Sequence, residues 1–213
     1  MGQNDTGGLG RSRSILAAIA SASLLFSTSL AAEPADADGV YGRFNGDIGI
    51  EPGLGFEYSR GNLLPQIDIG ASYVSTLGLR LRHANSKLLF DAVEHNRSVT
   101  SFNFEVRPLF LTRWSEALET GPALLDLTLD SFVLGLGVFW DYDRNAARLE
   151  RGTELITGFG VPLFAYTSGP WIRATAAVRL AEGPNLAVTT HSVFALTLCW
   201  NLLVDSTLHD GTL

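Results

Sequence analysis

From Gly46 onward, apolar residues return at every second position over most of the remaining chain. Side chains of a β-strand alternate between two faces, so a period of two marks a strand, and helical periodicity never competes over this span. Eight such runs can be read. Ile48, Ile50, Leu54, Phe56 and Tyr58 form the first, and Ile67, Ile69, Ala71 and Tyr73 the second. Leu77, Leu79 and Leu81 are followed by Phe102, Phe104 and Val106, then by Phe132, Leu134, Leu136, Val138 and Trp140. Val133 and Phe139 break the phase of that fifth run. The last three carry Leu155, Phe159, Val161 and Leu163; Ile172, Ala174, Ala176, Val178 and Leu180; and Phe194, Leu196, Leu198, Trp200 and Leu202.

The intervening positions decide the class. They are mostly Gly, Ala, Ser and Thr, set with Asp47, Glu51, Glu57, Asp68, Glu105 and Glu154 and with Arg80, Arg82, Arg107, Arg173 and Arg179. Lysine, the usual recruit of a solvent-facing strand, is missing from this face. Charged residues make up 17% of the chain against about 25% in an ordinary soluble domain. Small residues with nearly balanced acids and arginines suit the interior of a narrow barrel, where guanidinium–carboxylate forks satisfy one another. The apolar face would then meet lipid, and closure of the sheet would pair every backbone group. The expected fold is all-β: an eight-stranded antiparallel up-and-down transmembrane β-barrel over residues 46–204. Its lumen would hold a charge network of the five arginines with Glu51, Glu57, Asp68, Glu105 and Glu154, the arginines pairing with the first four of these acids.

Residues 1–31 have the layout of a cleaved secretory signal: Arg11 and Arg13, an apolar stretch from Ile15 to Leu30, and small residues at Ser29 and Ala31. Residues 32–45 follow as an acidic periplasmic linker, of which Val40–Phe44 continue the phase of the first strand and could lengthen it or add another. Residues 205–213 form a polar tail. With the N-terminus in the periplasm, the segments 84–98, 141–152 and 182–190 are the longer, outer connections. Those around Ser75-Thr76 and Ser168-Gly169-Pro170 are short periplasmic turns, the disposition of membrane barrels. Two connections depart from it: 60–65 is short for an outer loop, and 113–128 is long for a periplasmic one and has room for a helical turn before Gly121-Pro122. Tyr58 and Trp140 at outer strand ends, with Tyr73, Trp171 and Trp200 at periplasmic ends, would form interfacial girdles.

With these features the chain resembles the small outer-membrane barrels of Gram-negative bacteria, of the OmpA-transmembrane-domain and OmpX kind. It is also similar to an uncharacterised group of exported proteins with segments such as Arg107-Pro108-Leu109-Phe110-Leu111 and Leu125-Asp126-Leu127-Thr128-Leu129-Asp130-Ser131. The resemblance covers residues 46–204, rests on architecture, and implies outer-membrane localisation by the Sec route. Such barrels end on an aromatic residue, whereas this chain runs on past Trp200 into its polar tail.

Candidate chemistry is sparse. His83, His95 and His191 fall near outer strand ends without the fixed spacing of a metal site. Asp141-Tyr142-Asp143-Arg144-Asn145 is like the first half of a calcium loop, but Ala146 and Gly152 stand where Gly and a bidentate Glu belong. His83 with Ser86, or Glu94 and His95 with Ser98, could assemble a lipid-modifying site, yet no G-x-S-x-G elbow is present. No cofactor and no enzymatic activity are expected. Net charge of −7 argues against nucleic acid, and a single cysteine excludes an intrachain disulfide framework. Outer-membrane lipid is the expected partner; the sequence names no protein partner. A structural or surface-interaction role follows. The rival is a soluble, lipocalin-like periplasmic carrier, which would turn the apolar face inward around a ligand.

Overall fold

The computed structural model describes residues 40–42, 46–88, 96–116, 122–182 and 188–205. The expected signal segment 1–31 and the tail from 206 onward lie outside the described residues, as do His95 and Glu94. Eight strands are present: β1 (Ile48–Ser59), β2 (Asn62–Tyr73), β3 (Leu77–Asn85), β4 (Arg97–Val106), β5 (Val133–Asp143), β6 (Arg148–Pro162), β7 (Gly169–Glu182) and β8 (Val188–Val204). Each pairs antiparallel with the next, and β8 returns to β1, so the sheet closes as the up-and-down barrel that the sequence implied. Closure leaves no free sheet edge. Only over Glu51 and Pro52 is the β1–β8 ladder interrupted, where proline has no N–H to give. Two helices, α1 (Pro108–Ser115) and α2 (Ala123–Asp130), lie between β4 and β5. The end at which β1 begins and β8 finishes is called proximal below; the opposite end is distal.

The polarity of the sheet is inverted relative to a water-soluble barrel. Leu136, Leu196 and Leu198, in mid-strand, are 57%, 57% and 56% exposed, whereas Arg179 and Glu154 are 0% exposed. The two phase-breaking residues of β5 point inward: Val133 and Phe139 are both fully buried. Inner apolar side chains gather in small clusters between the charged layers. Leu64, Ala84 and Val99 form one, and Ile156, Ala177 and Val193 another.

Several expectations are corrected. The distal connections are shorter than their polarity suggested, because the strands zip further: β1 and β2 are joined by Arg60-Gly61 alone, and β5 and β6 by Arg144–Ala147. Positive φ at both Arg60 (53°) and Gly61 (79°) gives the primed turn that matches the twist of a hairpin. The connection between β4 and β5 is proximal and carries both helices, the departure in length already read for 113–128. Helix α1 begins five residues before the segment in which a helical turn was foreseen, and α2 follows Gly121-Pro122. Val40–Gly42 do not extend β1; they form a short 3-10 turn with Tyr41 at φ 67°. Trp171 is no girdle residue: it is buried inside the proximal mouth and donates its indole N–H to the Thr167 carbonyl at 2.9 Å. Tyr58, Trp140 and Tyr142 at the distal end and Tyr73 at the proximal end do face outward.

Small inward residues make room for the large charged ones. A Cβ placed on Gly70 would come within 2.7 Å of the Arg80 guanidinium, whereas the next residue, Ala71, points outward and is exposed. Gly70→Val should therefore lower the urea unfolding midpoint of the detergent-solubilised protein by the equivalent of about 1–3 kcal/mol, the usual cost of overpacking. Ala71→Val should change it by less than about 0.5 kcal/mol. Equal effects at the two positions would contradict the inward–outward assignment.

Candidate functional site

The interior is built of arginines and carboxylates in three tiers. In the proximal tier, Glu51 on β1 accepts hydrogen bonds from three guanidinium groups: Arg80 (β3) and Arg173 (β7) at Oε2, and Arg107, just past β4, at Oε1. Arg80 also donates from Nε to Glu105 Oε1 at 2.9 Å and from Nη1 to Asp68 Oδ1 at 3.3 Å. Arg173 Nη1 lies 3.6 Å from the other Glu105 oxygen. Three carboxylates thus face three arginines.

The middle tier centres on Arg179. Its Nη1 and Nη2 donate to the two oxygens of Glu57 at 2.7 and 2.9 Å, and its Nε donates to Glu154 at 2.8 Å. Arg82 completes the tier with a 2.7 Å bond to the other Glu154 oxygen. Phe139 lies beneath the Arg179 guanidinium, 5.2 Å from ring centroid to carbon, which gives its departure from strand phase a cation–π rationale. The planar, five-donor guanidinium can serve two carboxylates at once, which a lysine ammonium does with far less geometric definition. That accounts for the absence of lysine on this face.

The distal tier was not foreseen. Arg97 forks onto Asp141, with Nε 2.9 Å from Oδ1, and donates from Nη1 to the Ser59 carbonyl at 3.2 Å. Glu150 accepts from Arg60 and, at 2.7 Å, from Arg148. The signal was present in the sequence: Asp141 continues the phase of Gly135, Gly137 and Phe139, and Arg97 continues that of Ser101, Asn103 and Glu105. Polar character made these segments look like loops. In a barrel with a charged interior, polarity is also what the inner half of a strand shows.

Nine of the ten lumen residues named from the sequence lie on the inner phase of the strands, and the tenth, Arg107, just past β4, is the least covered of them, at 12% side-chain exposure. At the proximal end the mouth is covered by α1, α2 and the Tyr41 turn. The Tyr41 hydroxyl donates to Asp126 at 3.0 Å, and Thr167 donates from its hydroxyl to the Tyr41 carbonyl at 2.7 Å. Ser131 ties the end of α2 to β6, accepting from the Gly160 N–H at 2.7 Å and donating to the Gly160 carbonyl at 2.8 Å. Beneath this cover is a cavity of about 30 Å³ bordered by Glu51, Arg107, Arg173, Asp130 and Asn201, room for a water molecule or two. An apolar ligand chamber of the lipocalin kind has no place among these side chains, so the carrier reading falls.

The remaining candidates are dispersed. His83 faces outward and shares a 2.9 Å hydrogen bond with Thr100, whereas Ser86 is buried, its hydroxyl accepting from the Arg97 backbone N–H at 3.2 Å; the two do not meet. His191 sits at the distal mouth beside Arg60, with Nδ1 at 3.2 Å. Asp141 is committed to Arg97, and Asp143 accepts from the Asn145 N–H at 2.9 Å to cap its turn, so the calcium-like stretch is used structurally. Among the described residues no three His, Cys, Asp or Glu side chains are grouped to hold a metal ion.

Removing Arg179 takes from buried Glu57 both of its guanidinium bonds and leaves buried Glu154 with Arg82 alone. Arg179→Ala should destabilise the barrel by about 3–5 kcal/mol, as for other broken buried pairs. Arg148, 55% exposed at the rim, should cost no more than about 1 kcal/mol when replaced by alanine. Arg107→Ala should fall between them, because Glu51 keeps two other arginines. Unfolding midpoints in detergent and urea give the order; an unchanged midpoint in Arg179→Ala would contradict a buried, coupled network.

No protein-family model matches this chain, and no curated protein matches it. Among solved structures, the chain is similar to Ail, the attachment invasion locus protein of Yersinia pestis, with a TM-score of 0.31 and 10% sequence identity over 73% of this chain and 96% of that one.

Proposed function

We propose that this protein is an outer-membrane β-barrel, exported by the Sec route, whose role is structural or surface-interacting rather than catalytic. One observation carries the reading: the outward face of the closed sheet is a band of exposed Leu, Ile, Phe and Val, while the charged residues are locked in the lumen. In water that arrangement exposes apolar surface and buries ions, two costs together; in a bilayer the same band meets acyl chains. Aromatic side chains near both strand ends agree with an apolar belt bounded by two interfaces. In this reading the proximal end faces the periplasm and the distal turns face outward. The tiers fill the bore, so the barrel is a closed post and not a pore, and what it offers the exterior is its distal rim and connections.

Three experiments test the reading. Unboiled protein should sediment with outer membranes and migrate differently on a gel from the boiled sample; recovery in the soluble periplasmic fraction would overturn it. An epitope inserted in the Arg144–Ala147 turn should bind antibody on intact cells. In planar bilayers the protein should give no steady conductance, and long-lived open channels would contradict a filled lumen.

A further inference from the structure

The two helices of the β4–β5 connection repeat the barrel's inverted polarity. Their buried residues include Asp126 and Asp130 as well as Phe110 and Leu127, and their exposed residues include Leu109, Leu111, Leu124, Leu125 and Leu129. The charged side chains of the two helices are Arg113, Asp126 and Asp130, and all are bound to one another: Arg113 pairs with Asp126 and, from Nε, with Asp130 at 3.0 Å. A helix covering the mouth of a barrel from the water side would do the opposite, charges outward and leucines inward.

The hydroxyl groups point the same way. Thr112 donates to the Pro108 carbonyl at 3.0 Å, Ser115 to Thr112 at 2.9 Å, and Thr128 to Leu124 at 2.7 Å. Every hydroxyl in α1 and α2 is thus satisfied within its own helix. That is how Ser and Thr are carried where no water is available to accept from them. The surface also continues the outward face of the barrel. Helix α2 packs against β6 and leads into β5, whose Leu134 is exposed, and beyond β6 Leu163 and Phe164 are exposed as well.

We propose that α1 and α2 are seated in the periplasmic leaflet, with their exposed leucines against phospholipid acyl chains just beneath the headgroups. The β4–β5 connection is then part of the lipid-facing surface and anchors the proximal rim at a fixed depth, as interfacial amphipathic helices do. This seat rests on the outer-membrane reading above. Among the described residues of this connection, charge on the exposed side is confined to the margin, at Glu116, one residue past α1. Self-satisfied hydroxyls favour lipid over a protein partner, which would recruit them as donors.

The chain has one cysteine, Cys199, 4% exposed, so site-directed labelling is direct in a Cys199→Ser background. Nitroxide labels are placed at Leu111→Cys and Leu125→Cys, with Leu136→Cys on the barrel wall and Ala146→Cys in the distal turn as references. Each variant is checked for its heat-dependent gel shift and reconstituted in phosphatidylethanolamine–phosphatidylglycerol vesicles. Collision with oxygen, which concentrates in hydrocarbon, is compared with collision with a water-soluble nickel chelate. Labels at 111 and 125 should favour oxygen, as at 136. If they favour nickel, as at 146, the helices are in water and the seat is wrong. Shielding from both reagents would mean that a protein surface, a second copy or a partner, covers them, and would equally overturn it. A label at 136 that itself favours nickel would remove the membrane reading, so the two failures are distinguishable.

Discussion

A carboxylate taken out of water is tolerable only beside a cation that repays its lost hydration, and this barrel is organised around that requirement. Glu51, Glu105 and Asp68 are matched by Arg80, Arg107 and Arg173; Glu57 and Glu154 are matched by Arg82 and Arg179. Each of these two tiers is neutral within itself, so at those depths the charges are balanced locally and not merely in sum. The rest follows from the tiers. Gly70 stands opposite Arg80 because the guanidinium needs room, and the outer face is free to be apolar because the lumen holds the charge.

The same matching explains what the interior cannot do. Among the described residues, a bore crossed by forked ion pairs holds no apolar chamber, which argues against the carrier. The proximal mouth is closed further by a second device of the same logic, in which Arg113 holds two aspartates of α2 inward and leaves leucines outside. Barrel and helices therefore share one rule, charges inward and paired, hydrocarbon outward. A surface made to that rule is suited to lipid on its sides and to contact through its distal rim.

Much of this was legible in the chain. The alternation of Ile48 to Tyr58 or of Phe194 to Leu202 dictates strands, because only an extended backbone places successive side chains on opposite faces. The missing lysines and the Arg–acid composition of the second face dictated which side was inside. Legibility failed where polarity has two meanings. Asp141-Tyr142-Asp143 and Arg97-Ser98 read as loop because they are polar, yet they are strand whose inner half is lumen. Trp171 read as a girdle residue because it stands at a strand end, yet its odd register turns it into the mouth.

Sequence alone therefore settled the number of strands and their phase, since a period of two is a local property of the backbone. It could not settle partners. Which arginine meets which carboxylate depends on the stagger with which eight strands close, and that stagger brings Arg179 and Glu57, 122 positions apart, onto one another. Nor could it show that α2 turns its acids inward, because an eight-residue helix with mixed leucines and aspartates has no fixed inside until Arg113 of α1 and a wall to pack against are supplied.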